Sequence, residues 1–209
     1  MAYLRGLIPG ARVEAVGGVD EQPFFGDPTE VVGPVARFAD AIRSEEAQFD
    51  RVLATVLFTD IVDSTATAAT MGDGKWRALL EEHDRIAKRI IGRFRGTYVR
   101  GTGDGLLATF DGPARGVRCA EALVEAVRPL GLEIRAGLHT GEIEYGGHDL
   151  AGVGVHIGAR VGAMAGTSEV WVSSTVKDLT AGSGFVFEDR GEHELKGVPD
   201  RWHLYSVAG

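Results

Sequence analysis

The pattern of apolar and polar residues divides this chain into two parts. Up to Pro34, glycine and proline recur at short intervals, which is typical of turns and loops. Residues 35–49 then carry apolar side chains at the spacing of one helix face. Farther on, β-branched apolar runs alternate with helical segments. We therefore expect a lead-in segment over residues 1–47 and a main domain over 48–209.

The main domain is predicted to alternate strands with helices. Strands are predicted over 52–58, 97–100, 106–110, 133–139, 169–172, 185–188 and 203–207. Helices are predicted over 64–71, 75–94, 114–127 and 151–165. The order strand, helix, hairpin, helix, strand predicts an α+β fold with a ferredoxin-like βαββαβ core, to which further strands and helices are appended.

The last predicted helix contains Gly152, Gly154, Gly158 and Gly162. Each glycine inside a helix is unfavourable by about 1 kcal/mol relative to alanine. Such a concentration predicts that another backbone packs closely against this helix, either the sheet of the same chain or a second subunit.

Composition and charge narrow the functional classes. The 209 residues suffice for one good core, and 44% hydrophobic with 25% charged residues is ordinary for a globular protein. A net charge of −8 argues against nucleic-acid binding, and no apolar run approaches the roughly 20 residues that span a bilayer. The single cysteine, Cys119, cannot form an internal disulfide, which is typical of a reducing compartment. We therefore expect a cytoplasmic protein with no nucleic-acid or membrane partner.

Two acidic residues stand where predicted strands meet turns. Asp60 follows the first predicted strand, and behind it Asp63, Ser64 and Thr65 suit the start of a helix. Unpaired N–H groups at a helix start bind phosphate, and a neighbouring carboxylate binds a hard cation. Asp104 stands between two glycines in the predicted hairpin turn. Each acid alone is typical of a cap or a turn, but together they indicate magnesium-dependent nucleotide chemistry.

Several short segments of the main domain occur in a particular order. They are Phe58-Thr59-Asp60-Ile61, Gly103-Asp104-Gly105, Asp149-Leu150-Ala151-Gly152, Val155-His156-Ile157-Gly158-Ala159-Arg160 and Leu195-Lys196-Gly197. Together they resemble the catalytic domain of class III adenylyl and guanylyl cyclases, and the resemblance covers about residues 48–207. It implies the nucleotide cyclase fold and a homodimer whose active sites are shared between the subunits.

The resemblance implies roles for the acidic and catalytic residues. Asp60 and Asp104 would bind two Mg²⁺ or Mn²⁺ ions, aided by the backbone carbonyl of Ile61. Arg160 corresponds to the arginine that stabilises the phosphoryl group in the transition state. His156 stands in place of the usual ribose-orienting asparagine, and a neutral histidine can donate one hydrogen bond there. The reaction would be attack of the 3′-hydroxyl of the nucleotide on its α-phosphate, with release of pyrophosphate.

The remaining implied roles concern substrate binding. Lys196 corresponds to the lysine that binds the triphosphate. We expect the helix start at residues 63–65 to contact the triphosphate as well. Arg100 and Asp149 occupy the positions that read the purine base. A cation and an acceptor match the ring nitrogen and the amino group of adenine, so ATP is the expected substrate. Because Arg100 replaces the usual lysine, guanylyl or mixed-purine activity is the alternative.

Arg100 and His156 also leave a different kind of function open. Both depart from the family pattern at positions that would touch the nucleotide, which would suit a catalytically weak nucleotide-binding dimerisation module. The presence of Asp60, Asp104 and Arg160 favours the enzyme, because a pure scaffold has little use for these residues.

The first 47 residues resemble the C-terminal end of an α/β-hydrolase domain. The resemblance rests on Ile8-Pro9-Gly10-Ala11-Arg12, Gly17-Gly18-Val19-Asp20 and Gly26-Asp27. Glu21 stands where a catalytic histidine usually follows the aspartate, and the chain has no G-x-S-x-G motif. We therefore expect a remnant of a larger protein, without hydrolase activity, that leads into the cyclase-like domain.

Overall fold

The computed structural model describes residue 29 and residues 32–40, 51–146 and 149–208, with the backbone alone at 146 and 149. The chain separates into two compact units, Met1–Asp50 and Arg51–Gly209. In the first unit residues 32–40 are helical, which confirms the part of the predicted lead-in helix that is described. The rest of that helix, and the hydrolase-like segments, lie outside the described residues.

The second unit alternates strands and helices as predicted. Its strands are β1 (Arg51–Ile61), β2 (Thr97–Gly101), β3 (Leu106–Phe110), β4 (Ile134–Gly146), β5 (Asp149–Ala151), β6 (Val170–Ser173), β7 (Phe187–Glu194) and β8 (Arg201–Val207). Its helices are α1 (Ser64–Met71), α2 (Asp73–Arg93), α3 (Pro113–Val127), α4 (Val153–Met164) and α5 (Ser174–Leu179), with a 3₁₀ turn at Arg128–Leu130. Among the described residues, no helix combines the length and the apolarity needed to cross a bilayer.

All the strands join one sheet in the order β2-β3-β1-β4-β6-β8-β7, and β5 pairs with β4 outside this path. Strand β1 runs antiparallel to both β3 and β4, and β2 runs antiparallel to β3. This order and orientation confirm the ferredoxin-like α+β core. Strand β6 extends it by pairing parallel to β4, and β7 and β8 complete the far edge.

The strand bounds differ from the prediction where polar residues lie in the sheet. Strand β1 continues past the predicted end at residue 58, so Asp60 lies within the strand, opposite Arg135 of β4. Strand β4 extends to Gly146 because its second half pairs with the first residues of β1 and with β5. Strand β7 begins at Phe187, two residues later than predicted, and continues through charged residues at the sheet edge, where hydrophobic alternation is not required.

The two faces of the sheet are covered differently. Helices α2, α3 and α5 supply Ile91, Leu123 and Val176 to the main core, together with Leu57 of β1. Cys119 lies in the same core, where burial raises the pKa of its thiol to about 12, so it packs as a small apolar residue.

Helix α4 covers the opposite face, over β1 and β4. A Cβ at Gly158 would lie 2.5 Å from Cγ2 of Val56, and a Cβ at Gly137 of β4 would overlap the backbone nitrogen of Gly162. The glycines therefore let this helix lie directly on the sheet, which confirms the close approach that the sequence predicts.

Candidate active site

Asp60 and the turn that carries Asp104 meet at one end of the β1–β3 pair. Thr59 is paired with Leu106, so the turn before β3 lies beside the end of β1. A Cβ at Gly105 would overlap the carbonyl oxygen of Thr59 and would lie 3.0 Å from Cα of Asp60. This position therefore requires glycine, and the contact places the Asp104 turn against the backbone of Asp60.

Ser64 joins Asp104 to the start of helix α1. Its hydroxyl donates a short hydrogen bond to Oδ2 of Asp104. The preceding Asp63 has a left-handed backbone, with φ of 52°, and its side chain makes no capping hydrogen bond. Asp63 is the N-cap residue of α1, and its backbone carbonyl accepts from the amide of Thr67. Thr65 is exposed and, with Ser64 and Asp104, lines a cleft of about 310 Å³.

Arg135 is a site residue that the sequence reasoning missed. Its Nε and Nη2 both donate to Oδ2 of Asp60, at 2.9 and 2.5 Å, and its Nη1 lies 3.4 Å from the carbonyl oxygen of Ala163 in α4. The sequence does contain one signal for Arg135, because it is a charged residue inside the apolar run of a predicted strand. A charged side chain in such a place needs a partner.

The two aspartates suit hard divalent cations. Each has one oxygen, Oδ2, that accepts from a side chain of the same chain. Within the described part of the chain, Oδ1 of each aspartate takes part in no hydrogen bond or ion pair. The described residues also contain no cluster of three or more His, Cys, Asp or Glu side chains that could form an all-protein site. Mg²⁺ is commonly bound by one or two carboxylates together with substrate phosphates, so this donor set fits it.

Ile61, whose backbone carbonyl is the third expected ligand, is anchored from the other side of the strand. Its side chain is 2% exposed and belongs to the main core. Successive side chains of a strand point to opposite faces. Burial of the Ile61 side chain in the main core therefore directs the side chain of Asp60 toward the α4 face. The core thereby positions the expected metal ligands.

A second group of functional residues lies on α4 and on the turn between β7 and β8. Nε of Arg160 donates to the carbonyl oxygen of Lys196 at 3.0 Å. Both side chains are exposed, and so is His156, which lies one turn earlier on the same helix face. Lys196 follows the buried Leu195 and lines a cleft of about 560 Å³ in the β7–β8 turn. The structure therefore brings Arg160 and Lys196 together, as the resemblance implies for residues that act on one triphosphate.

The strands that carry the expected base-reading residues approach one another. Arg100 is exposed near the end of β2, and Asp149 begins β5. Strands β2 and β5 are in contact. The backbone positions are therefore compatible with a shared base pocket, whereas the side chain of Asp149 lies outside the described residues.

A partly buried polar layer supports the Asp104 turn from behind. A cavity of about 170 Å³ lies between α2 and this turn, and His83, Asp84 and Asp104 are among its lining residues. Burial lowers the pKa of His83, against the opposing effect of Asp84. Burial also raises the pKa of Tyr98 to about 12, and its hydroxyl donates to Asp84 at 3.2 Å. A neutral histidine and a neutral tyrosine therefore stand behind the turn at ordinary pH.

Comparison with known proteins identifies the domain. The sequence profile of the adenylate and guanylate cyclase catalytic domain matches residues 45–209. A putative adenylate cyclase 3 from Rhizobium meliloti is 27% identical over 165 residues, which are 75% of this chain and 28% of the relative. The chain thus spans about a quarter to a third of the length of the first curated relatives that it matches.

Solved cyclase structures share the fold. The adenylyl cyclase CyaB from P. aeruginosa superposes with a TM-score of 0.71 and 21% identity, over 76% of this chain and 95% of that one. The non-canonical dimeric guanylyl cyclase domain of RhoGC from the fungus Blastocladiella emersonii gives a TM-score of 0.69 and 21% identity, over 76% and 98%. The nucleotide cyclase fold is therefore confirmed, and the neighbours include cyclases of both purine types. The chain belongs to the adenylate and guanylate cyclase catalytic domain family.

Proposed function

We propose that this chain converts ATP to cyclic AMP and pyrophosphate, with two Mg²⁺ or Mn²⁺ ions per active site, at sites shared between two copies of the chain. The reducing environment suggested by its single cysteine is that of the cytoplasm, where ATP is abundant. The coarser activity, nucleotide cyclisation, follows from the family. The choice of ATP, the metal ligands and the homodimer are the proposal.

The separation of two incomplete half-sites carries this proposal. Asp60 and Asp104, with Ser64, form an acidic half-site whose own cation, Arg135, is paired with Asp60. Arg160 and Lys196 form a cationic half-site that lacks metal ligands. In the described residues no hydrogen bond or ion pair joins one half-site to the other. Two copies related by a two-fold axis would complete two sites, each with one acidic and one cationic half.

Each half-site has a distinct task in the proposed reaction. Asp60, Asp104 and the carbonyl of Ile61 would hold the cations, which when bound supply Lewis-acid activation of the 3′-hydroxyl and charge neutralisation at the α-phosphate. Lys196 would bind the triphosphate, and Arg160 would donate to the phosphoryl oxygens as negative charge develops on them. His156, exposed one turn before Arg160, would donate one hydrogen bond to the ribose or the phosphoryl group.

The order of hydrogen-bonding groups supports ATP over GTP. A cation at Arg100 suits the ring-nitrogen acceptor of adenine, and the carboxylate of Asp149 suits its amino group. Guanine presents a donor and an acceptor in the reverse order. We therefore expect the chain to use ATP more efficiently than GTP.

Exposed apolar side chains support association with a second copy. Leu53 is 67% exposed, Val153 is 56% exposed and Tyr145 is 49% exposed. The pairing of β1 with β4 places Leu53 and Tyr145 at the same end of the sheet, and the close approach of Gly154 to Glu142 places the start of α4, with Val153, at that end too. Exposed apolar groups that cluster at one end of a fold are typical of interaction surfaces.

Purified chain with Mn²⁺ and ATP tests the activity. We expect cyclic AMP to accumulate, and we expect the Asp104→Ala variant to lose about a thousandfold or more in rate, because an expected metal ligand is removed. Arg115→Gln, which changes a surface arginine paired with Asp111, should retain the rate. Cyclic AMP production no greater than that of Asp104→Ala would contradict the proposal.

The two alternatives have their own outcomes. Higher kcat/KM for GTP than for ATP under matched conditions would assign guanylyl activity, for which Arg100 is the motivating residue. Nucleotide binding without pyrophosphate release would instead assign a binding module, for which His156 and Arg100 are the motivation.

A further inference from the structure

Strand β2 carries one extra residue beside Arg100. Tyr98 is paired with Ala108 of β3, and Arg100 is paired with the adjacent residue of β3, Leu107. Two steps along β2 therefore match one step along β3, which is the arrangement of a β-bulge, and Val99 is the extra residue. A bulge of this kind changes the direction in which the neighbouring side chains point.

The bulge decides which face of the sheet carries Arg100. Tyr98 and its partner Ala108 belong to the main core, on the face that helix α2 covers. Leu107 and Val99 belong to the apolar cluster under helix α4, on the opposite face. In a regular strand Arg100 would share the face of Tyr98, because side chains repeat every two residues. Residues directly opposite each other in an antiparallel pair share a face, so the bulge brings Arg100 to the α4 face with Leu107.

Strand β5 packs on the same face. Leu150 of β5 belongs to the same apolar cluster as Val99, and β2 contacts β5. Asp149, the other expected base-reading residue, directly precedes Leu150. The bulge therefore turns Arg100 to the side of the sheet on which the strand of Asp149 packs, as a shared base pocket requires.

Tyr98, which stands just before the bulge, is anchored to helix α2. Its hydroxyl donates to Oδ2 of Asp84 at 3.2 Å. Nζ of Lys88 lies 3.6 Å from the same oxygen and 4.7 Å from the centre of the Tyr98 ring. Burial, together with the charge of Asp84, raises the pKa of Tyr98 to about 12, so the hydroxyl stays protonated and remains a donor at ordinary pH.

The side chain of Tyr98 restrains the strand on both sides of Arg100. A Cβ at Gly101 would lie 3.3 Å from the Tyr98 hydroxyl, so this hydroxyl lies over the residue that follows Arg100. Among the described residues, β2 is hydrogen-bonded to β3 alone, and the bulge interrupts part of that pairing. The contacts of Tyr98 with α2 therefore supply a second restraint on a strand that has one hydrogen-bonded neighbour.

We propose that Tyr98 is a positioning residue for base recognition, which fixes the bulge against Asp84, holds Arg100 on the α4 face and thereby sets the preference between ATP and GTP. Tyr98 acts through Arg100 and does not touch the nucleotide itself, because its side chain packs on the opposite face of the sheet. This inference rests on the proposed role of Arg100 in reading the base.

Nucleotide binding to the purified full chain tests the inference without reference to turnover. The probes, used with Mn²⁺, are 3′-deoxy-ATP and 3′-deoxy-GTP, which lack the attacking hydroxyl, and inorganic triphosphate, which lacks the base. Isothermal titration calorimetry measures each Kd. Tyr98→Phe should bind 3′-deoxy-ATP about fivefold more weakly and should discriminate less against 3′-deoxy-GTP, because the hydrogen bond to the charged Asp84 is lost. Binding of inorganic triphosphate should stay within about twofold of the unmodified chain.

Two further variants provide a second test and a control. Asp84→Ala removes the acceptor of the same hydrogen bond and should reproduce the effect of Tyr98→Phe, and the double variant should bind no more weakly than the weaker single variant. Asp84 is 38% exposed, so Asp84→Ala tests the inference if Tyr98→Phe does not fold, as judged by circular dichroism. Tyr205→Phe is the matched control, since Nζ of Lys177 lies 4.9 Å from the centre of that ring and β8 is distant from β2 in the sheet. It should bind all three probes as the unmodified chain does.

Arg100→Ala separates the inference from the proposed function. This variant should bind 3′-deoxy-ATP about tenfold more weakly and inorganic triphosphate equally well. Unchanged binding of 3′-deoxy-ATP by Arg100→Ala would overturn the base-reading role in the proposed function, and this inference with it. If Arg100→Ala loses affinity while folded Tyr98→Phe and Asp84→Ala keep it, or if these two variants lose inorganic triphosphate to the same extent, the role of Tyr98 is overturned and that of Arg100 stands.

Discussion

At the scale of single residues, the acidic half-site is arranged by donors from its own chain. Ser64 donates to Asp104, and Arg135 donates to Asp60, in each case to Oδ2. Metal ligands commonly depend on such partners for their orientation, and loss of the partner typically costs tenfold or more in affinity or activity. The geometry around the expected ligands is therefore as informative as the ligands themselves.

Replacement of Ser64 by alanine should lower cyclase activity about tenfold without unfolding the chain, because a hydrogen bond to a charged group is lost. The measurement is kcat/KM for ATP together with the Mn²⁺ concentration that gives half-maximal rate. Thr70→Ala serves as the control, since the hydroxyl of Thr70 donates to the carbonyl of Ala66 within the same helix. Equal activity of Ser64→Ala and Thr70→Ala would contradict the role of Ser64.

His139 should make the stability of the fold fall in acid. Burial lowers its pKa from 6.5 to about 4, and its ring lies against Ser173 and Trp202. Because the unfolded chain takes up this proton at higher pH than the folded chain, the stabilisation is complete above pH 6.5 and is lost as pH falls toward 4. The loss is about 3 kcal/mol from this residue.

Urea unfolding at a series of pH values measures this effect. His139→Gln should be less stable at pH 7 and should lose less free energy of unfolding between pH 6.5 and 4 than the unmodified chain. His83, whose pKa is lowered by burial as well, contributes in the same direction to both proteins. An identical pH dependence of the two proteins would rule out a role for His139.

At the scale of elements, the contact between α4 and the sheet is the most specific feature. It requires small residues, because Gly158 lies over Val56 and Gly162 lies over Gly137. The same helix carries His156 and Arg160 on its exposed face and receives Arg135 at its carboxyl end. Its placement therefore positions the cationic half-site.

Substitution of Gly158 by alanine should destabilise the fold by about 1 to 3 kcal/mol, because the new Cβ would overpack against Val56. Gly92 offers a matched control, since a Cβ there would meet no atom within 4 Å. Gly92→Ala should be neutral or stabilise by up to about 1 kcal/mol, because alanine has the higher helix propensity. Thermal unfolding followed by circular dichroism compares the two, and a Tm for Gly158→Ala at or above that of Gly92→Ala would contradict the packing account.

The sequence allowed most elements to be predicted, and the exceptions have physical causes. The long helix α2 and the fully buried strand β3 have strong periodic or apolar patterns, and both lie within two residues of their predicted bounds. Strand β5 and helix α5 were missed because they have three and six residues, too few to show a period. Strand β7 was misplaced because an edge strand tolerates charge on both faces.

At the scale of the whole molecule, the order of the motifs allowed the family to be predicted. The arrangement of the site residues, by contrast, could be seen only in the folded structure. Asp60, Asp104, Arg160 and Lys196 could be chosen from the sequence because each stands in a short, specific motif. The place of Arg135 in an apolar strand indicated only that it needs a partner, because that partner, Asp60, stands 75 positions away and strand register alone brings the two together. The separation of acidic and cationic half-sites is likewise a property of the folded chain.

Complementation between two inactive variants tests this account most directly. Asp104→Ala lacks part of the acidic half-site, and Arg160→Ala lacks part of the cationic half-site. Mixed in equal amounts, they would form mixed dimers in about half of the pairings, each with one intact and one doubly defective site. Cyclic AMP production should therefore return to about a quarter of the unmodified rate. A mixture no more active than the separate variants, under conditions where subunits exchange, would contradict a site shared between two copies.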